Sequence, residues 1–438
     1  MTVAHRATTF SEEASMGFLA GLADERVDHR FKGLPPDADG LTVGELAAQR
    51  RNLFTDGFTT PVLALSAERL EHNLALMEQY ATRHGLAFAP HGKTTMAPEL
   101  FARQLDHGAW GITLAVPHQV RVARQFDVKR IFLANQLVDA PALKWVAGEL
   151  ARDPDFQLIC YVDSVRGVQL MDAALTGAAR PLDVVVELGA GDGARTGVRT
   201  EADAAAVADA VAATQTLRLV GVAGYEGEVP QATPEKVDVW LRRLTSLAVE
   251  FDKAGRFSGS GLDEIVVSAG GSAWFDTVAD VFAELPELSL PVLKLLRSGA
   301  YVSHDDGHYK RLTPFNRVPG EGALHPAFRL WAQVVSKPTA DQAFVNAGKR
   351  DAAYDLDLPE AQVVRDAVSG EVRPATGITV TKLSDQHAWL DTGPDAAIEV
   401  GDWVGLGLSH PCTSFDKWQM IPLVEADGTV VDYIRTYF

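Results

Sequence analysis

Cysteine is scarce: Cys160 and Cys412 are the only two in 438 residues. Two thiols cannot brace a disulfide scaffold, and so low a count suits a reducing compartment. Basic charge is short as well, with 40 Lys and Arg against 58 Asp and Glu, a formal net charge of −18 and a pI near 5.1. A chain of that sign repels phosphate backbones and anionic membrane surfaces, which argues against nucleic-acid and membrane partners. No apolar run approaches the roughly 20 residues of a bilayer span. The N-terminus carries acidic residues early and lacks a basic start leading into an apolar stretch, so it does not read as a signal peptide. No GxGxxG follows the first strand-like run, which counts against a dinucleotide-binding domain. The expectation is a cytoplasmic enzyme or binding protein acting on a small molecule.

What is present is ordinary for a globular chain, with 47% hydrophobic and 22% charged residues. Residues 1–55 read as an N-terminal extension that packs on the body or on a partner subunit. From Pro61 to about Leu296, short β-branched or apolar runs alternate with helical Ala/Leu/charge segments, the signature of βαβ units and a parallel sheet. The runs VLALS, LAFAP, WGITLA, RIFLAN, FQLICYVD, LDVVVELG, LRLVGVAGY, EIVVSAGG and PVLKLLRSG number nine, one more than a (β/α)8 barrel uses. One of them, most naturally the first, therefore belongs to a different sheet. After about residue 315 the segments are short, alternating and separated by Gly, Pro and Asp, which predicts a β-rich domain; LPEAQVVRDAV alone has helical spacing. The division expected is an extension 1–55, an α/β barrel 56–315 and a C-terminal β domain 316–438.

Candidate chemistry gathers at strand ends. In AFAPHGKTT a strand closes on Pro90-His91-Gly92, and Lys93 follows where a barrel presents side chains at its C-terminal mouth. A lysine among small and apolar neighbours loses its charge more easily and becomes an amine nucleophile. Taken alone, a solvated turn lysine is the commoner case, but other segments change the odds. EIVVSAGGSAWF places Ser268, Gly270, Gly271 and Ser272 after a strand, and LRSGAYV places Gly299, Ala300 and Tyr301 after the next. Small residues let backbone N–H groups approach an anion, and the last two strands of such barrels often hold a phosphate. ELGAGDGARTGV adds Glu187 and Arg195, and VAGYEGEV adds Tyr225, Glu226 and Glu228 at the next strand end. In GLGLSHPCTSFDKW, His410 and Cys412 are two apart, which on an extended backbone puts both side chains on one side. Imidazole with thiolate favours zinc over harder ions, and two ligands suit a catalytic site that keeps positions for water, substrate or another residue. His387 either joins that site or packs, and Cys160, within an apolar run, reads as core.

PHGKTT, GARTGV, GYEG, SAGGSAW, RSGAYV, KLSDQH and SHPC, in this order, resemble the D-serine dehydratase and D-threonine aldolase family of pyridoxal-phosphate enzymes, which share the alanine racemase type of barrel. The likeness spans most of residues 56–438. It implies that Lys93 is the lysine to which pyridoxal phosphate attaches, that Arg195 lies near the cofactor's phenolic oxygen and that Tyr225 lies near its pyridine ring. It implies further that Ser268, Gly270, Gly271, Ser272, Gly299, Ala300 and Tyr301 form the phosphate turns and that His410 and Cys412 are the metal pair. Dehydratases of this family carry His-x-Cys with zinc, and aldolases His-x-Asp with a harder ion, so His410-Pro411-Cys412 points to the dehydratase branch, acting on D-serine-like β-hydroxy D-amino acids. Family members often carry His where this chain has Glu228. A homodimer is also implied. Retro-aldol cleavage, racemisation and non-catalytic cofactor binding are the alternatives.

Overall fold

A computed structural model describes residues 21–257 and 261–438; the first 20 residues of the expected extension lie outside the described residues. Strand β1 (Val62–Ser66) is followed by β2 (Ala87–Phe88), β3 (Ile112–Leu114), β4 (Arg130–Gln136), β5 (Gln157–Val162), β6 (Leu182–Leu188), β7 (Leu217–Gly224), β8 (Ile265–Ala269) and β9 (Val292–Leu296). Strands β3 to β9 pair in parallel in sequence order, and β2 pairs with β9. A parallel bridge between His91 and Thr113 brings β2 back beside β3 and closes the barrel.

The helices between the strands start where the sequence supplies caps. Ser66, Asp139, Ser164, Thr200 and Thr233 each accept a hydrogen bond from a backbone N–H of the first turn, satisfying a donor that would otherwise have no partner. Alternation along the strands divides the apolar side chains in two. Ile131 and Leu133 face the helices, while Phe132, Ile159, Val185, Val220 and Val266 form a separate cluster inside the barrel. Cys160 is fully buried in the outer cluster, and burial lifts its thiol to about 12, which makes it an inert core residue.

The C-terminal strands are β10 (Phe328–Thr339), β11 (Gln342–Val345), β12 (Glu360–Arg365), β13 (Val372–Pro374), β14 (Ile378–Leu383), β15 (Ala388–Thr392), β16 (Trp403–Gly407), β17 (Met420–Val424) and β18 (Val430–Arg435). The first apolar run, β1, joins this sheet, antiparallel to β10 and parallel to β17. One expectation fails here: LPEAQVVRDAV is not helical but contains β12. Its Val363 and Val364 pair with both β13 and β16, and that two-sided ladder outweighs a short stretch of helical spacing. Val27, Phe31, Leu34, Leu46 and Leu53, from the described part of residues 21–55, pack on Trp331, Met420, Val430 and Tyr433 of this sheet. Among the described residues no helix is long and apolar enough to cross a membrane.

Candidate active site

Lys93 lies in a single 3-10 turn, Gly92–Thr94, directly after β2 at the C-terminal mouth. The turn can sit this close to the barrel only because residue 92 has no side chain: a Cβ there would lie 2.6 Å from Ile112 Cγ2. Burial lowers the Lys93 ammonium below the usual lysine range, and the nearby Arg195 and Arg297 charges push the same way; Cys412 opposes them. The amine is therefore biased toward the uncharged form a nucleophile or base needs.

Cys412 comes from the other domain. It opens the short helix Cys412–Phe415, and its Sγ is 3.4 Å from Thr94 Oγ1, the residue next to Lys93. Burial raises its thiol, but the hydrogen bonds of His410 and Thr94, with the charges of His410 and Lys93, outweigh burial and lower it. His410 is pushed up to about 9, first by its hydrogen bond with Cys412 and then by Asp355. The two side chains do meet, but not on an extended strand. His410 has a φ of 55°, Pro411 is helical, and a turn rather than a strand pleat brings imidazole and thiol together. Asp355 Oδ2 takes His410 Nδ1 at 2.6 Å, and Asp305 Oδ2 accepts the His410 backbone N–H at 2.9 Å. With Nδ1 so engaged, Nε2 is the nitrogen left for a metal. Among the described residues no group of three or more His, Cys, Asp or Glu is arranged to hold a metal ion. His387 is exposed between β14 and β15, its carbonyl accepting from Ser384 N–H.

The two small-residue turns after β8 and β9 converge. Ser272 Oγ is 3.2 Å from Ser298 Oγ and accepts from the Ala300 N–H at 3.2 Å. Both glycine positions are closed to a side chain. A Cβ on Gly271 would lie 2.6 Å from Tyr225 Cε2, and one on Gly299 would lie 2.5 Å from Thr94 Oγ1 and 2.7 Å from His91 Cβ. Gly270 adopts a φ of 121°, a region L side chains rarely enter. Two of the expected residues are differently employed. Ser268 donates to the Leu295 carbonyl and accepts from Arg297 Nε inside the barrel, and the Tyr301 hydroxyl is in the core, accepting from Gln104 Nε2. Arg195 and Tyr225 do meet, the guanidinium 5.6 Å from the ring centroid, and Arg195 pairs with Glu228 at 2.9 Å.

Three further residues, to which the sequence motifs assign no role, complete the site. Buried Arg297 donates to Ser268 and to the Gly224 carbonyl, locking β7, β8 and β9 together beneath the mouth. Asp355 steers His410, and the Tyr309 ring lies 6.4 Å from the His410 ring. A weak signal for Arg297 does exist: a charge directly after the apolar run PVLKLL. Glu226 is fully buried; one oxygen accepts the Gly270 N–H at 2.8 Å and the other has no partner. His91 Nδ1 is buried and unpartnered too. A glycine cradle that a methyl group would fill, beside an amine biased to neutrality and unmatched buried polar atoms, fits pyridoxal phosphate.

Residues 65–279 match the family model described as alanine racemase, N-terminal domain, and residues 327–424 match the one described as putative serine dehydratase domain. Together the two matches liken the chain to the D-serine dehydratase and D-threonine aldolase family of pyridoxal-phosphate enzymes. It is 29% identical over 376 residues to the D-threonine aldolase of an Arthrobacter species, covering 85% of this chain and 90% of the relative. It is 26% identical over 400 residues to the D-threo-3-hydroxyaspartate dehydratase of a Delftia species, covering 86% and 97%. Among solved structures, D-threonine aldolase from Filomicrobium marinum superposes with a TM-score of 0.71 at 23% identity, over 87% of this chain and 95% of that one. A cysteine-to-alanine variant of a D-threo-3-hydroxyaspartate dehydratase in a metal-free form superposes with a TM-score of 0.67 at 22% identity, over 89% of this chain and 100% of that one.

Proposed function

We propose that this lyase dehydrates D-serine-like β-hydroxy D-amino acids to a 2-oxo acid and ammonia, using pyridoxal phosphate at Lys93 and zinc at His410 and Cys412. One observation carries the reading: a thiol lowered by its imidazole partner is placed by the second domain against the Lys93 turn, with Cys412 Sγ 3.4 Å from Thr94 Oγ1. When bound, pyridoxal phosphate supplies an electron sink for charge developing at Cα, and zinc supplies a Lewis acid for the β-oxygen. The chain's own groups do the rest. Ser272 Oγ with the backbone at Gly299 and Ala300 would hold the phosphate, and Arg195 and Tyr225 would flank the ring. Lys93 Nζ, kept toward neutrality by burial, takes and holds the α-proton. Asp355 holds the His410 ring through Nδ1, which would leave Nε2 to ligate the zinc. In the net reaction a β-hydroxyl leaves as water, the resulting enamine gains a proton at Cβ, and hydrolysis of its imine form releases the 2-oxo acid and ammonia.

The likeness to a D-threonine aldolase favours a second reading, in which the β-hydroxyl is deprotonated and the Cα–Cβ bond breaks to glycine and an aldehyde. Product analysis separates the two: D-serine and D-threonine should yield 2-oxo acid with ammonia, and glycine with aldehyde would overturn the dehydratase reading. For zinc, elemental analysis of wild type, His410→Ala and Cys412→Ala should show the metal lost in both variants; retention in both would refute the site. A homodimer belongs to the same reading, and sedimentation should give twice the 47.2 kDa chain mass.

A further inference from the structure

The charges around the mouth are unequal. Two cations bear on Lys93, and both are already committed. Arg297 is buried and donates to Ser268 and Gly224. Arg195 is exposed at the mouth but paired with Glu228 at 2.9 Å. Asp355 and Asp305 hold His410, and both act electrostatically on Tyr309, as do Cys412 and Tyr225. Every amino-acid substrate brings one α-carboxylate, whatever its side chain. A substrate with a second carboxylate would add that charge to a site already carrying Glu228 and the two aspartates, with no uncommitted cation among these groups to receive it.

We propose that this site takes β-hydroxy D-amino acids whose side chain is uncharged, and that Glu228, by occupying Arg195 and adding its own negative charge, rejects those with a second carboxylate. Glu228 is thus a specificity-determining residue. The proposal rests on the lyase reading above and adds to it the class of substrate. It also separates this chain from those relatives whose names give 3-hydroxyaspartate as their substrate.

The test compares kcat/KM for D-threonine and for D-threo-3-hydroxyaspartate on one preparation of holoenzyme, wild type and Glu228→Gln. Wild type should prefer D-threonine by on the order of 100-fold, since like charges held close in a site are strongly unfavourable. Glu228→Gln should narrow that ratio by about tenfold or more, because it removes one carboxylate and releases Arg195. The ratio is taken within one protein, so partial misfolding does not affect it. A wild-type enzyme that uses the two substrates equally well, or a ratio unmoved by Glu228→Gln, overturns the proposal and leaves the lyase reading standing. Failure to consume D-threonine, D-serine and D-threo-3-hydroxyaspartate alike overturns the lyase reading, and the proposal with it.

Discussion

Gly299→Ala tests the cradle with a single methyl group. The backbone at Gly299 has φ −123° and ψ −43°, outside the left-handed region, so alanine meets a steric cost there and no left-handed strain. The new Cβ would lie 2.5 Å from Thr94 Oγ1 and 2.7 Å from His91 Cβ. Carbon contacts relax near 3.5–4.0 Å, so one wall must retreat by about 1 Å. Neither retreats freely. Thr94 Oγ1 also touches Cys412 Sγ, and His91 Cβ is fixed to a main chain bonded to Ser298 and Thr94. Overpacking of this kind costs about 1–3 kcal/mol. The walls are Thr94, next to Lys93, and His91, two residues before it, so we expect most of that cost in cofactor affinity, a loss of about 5- to 150-fold. Titration of apoprotein with pyridoxal phosphate, followed in the visible spectrum, measures it directly. Wild-type affinity in Gly299→Ala, with an unchanged melting temperature, would refute the assignment of this turn to the cofactor.

Three other outcomes follow from the same geometry. Gly148 lies in the helix Ala140–Arg152, and a Cβ added there would meet nothing within 4 Å, so Gly148→Ala should stabilise the fold by about 0.5–1 kcal/mol; a lower melting temperature would contradict this. Lys93→Ala should abolish both turnover and the visible band of the bound cofactor, and a band that survives unchanged would remove Lys93 from the site. Burial raises the Glu99 carboxyl from 4.5 to about 8, and one of its oxygens has no partner. A raised acid binds its proton more tightly in the folded state, so its contribution falls as pH climbs from 4.5 through 8 and then levels off. The ceiling is about 5 kcal/mol. Wild type should therefore lose melting temperature relative to Glu99→Gln between about pH 5 and pH 9, and parallel curves would show that Glu99 is ionised throughout.

The barrel is legible in the sequence because several of its strands bury both faces and so appear as largely apolar runs, as in LDVVVELG, which contains β6. LPEAQVVRDAV misleads because its spacing is ambiguous over so few residues, and the partners that make it a strand, β13 and β16, are remote or follow it. The site shows the same division. Lys93, the glycine turns and the His-x-Cys pair announce themselves by residue type. Arg297 and Asp355 do not, because an arginine after a strand and an aspartate in a loop are common, and only the fold turns one under the mouth and the other onto His410. The resemblance placed Ser268 and Tyr301 in the phosphate turns. Register alone decides that the Ser268 hydroxyl serves Arg297 and that the Tyr301 ring enters the core.

Neither domain builds this site alone, and the connection between them explains why the pair meets the lysine. After β9 the chain does not form another barrel helix of ordinary length; residues 303–310 instead run along the C-terminal sheet. Asp306 N–H bonds the Leu408 carbonyl, His308 N–H bonds Ser409 Oγ, and Asp305 takes the backbone N–H of His410. These bonds fix the Leu408–His410 segment to the strand end that carries Gly299 and Ala300. At the barrel's N-terminal end β1, covalently followed by the helix Ala67–Arg83 that leads into β2 and Lys93, is stitched between β10 and β17 in the middle of that sheet. The His410–Cys412 turn is thus held from both ends of the barrel's own sequence. A chain that must bring the Lys93 turn and the Cys412 thiol together does so by making its first strand and its barrel exit share one sheet.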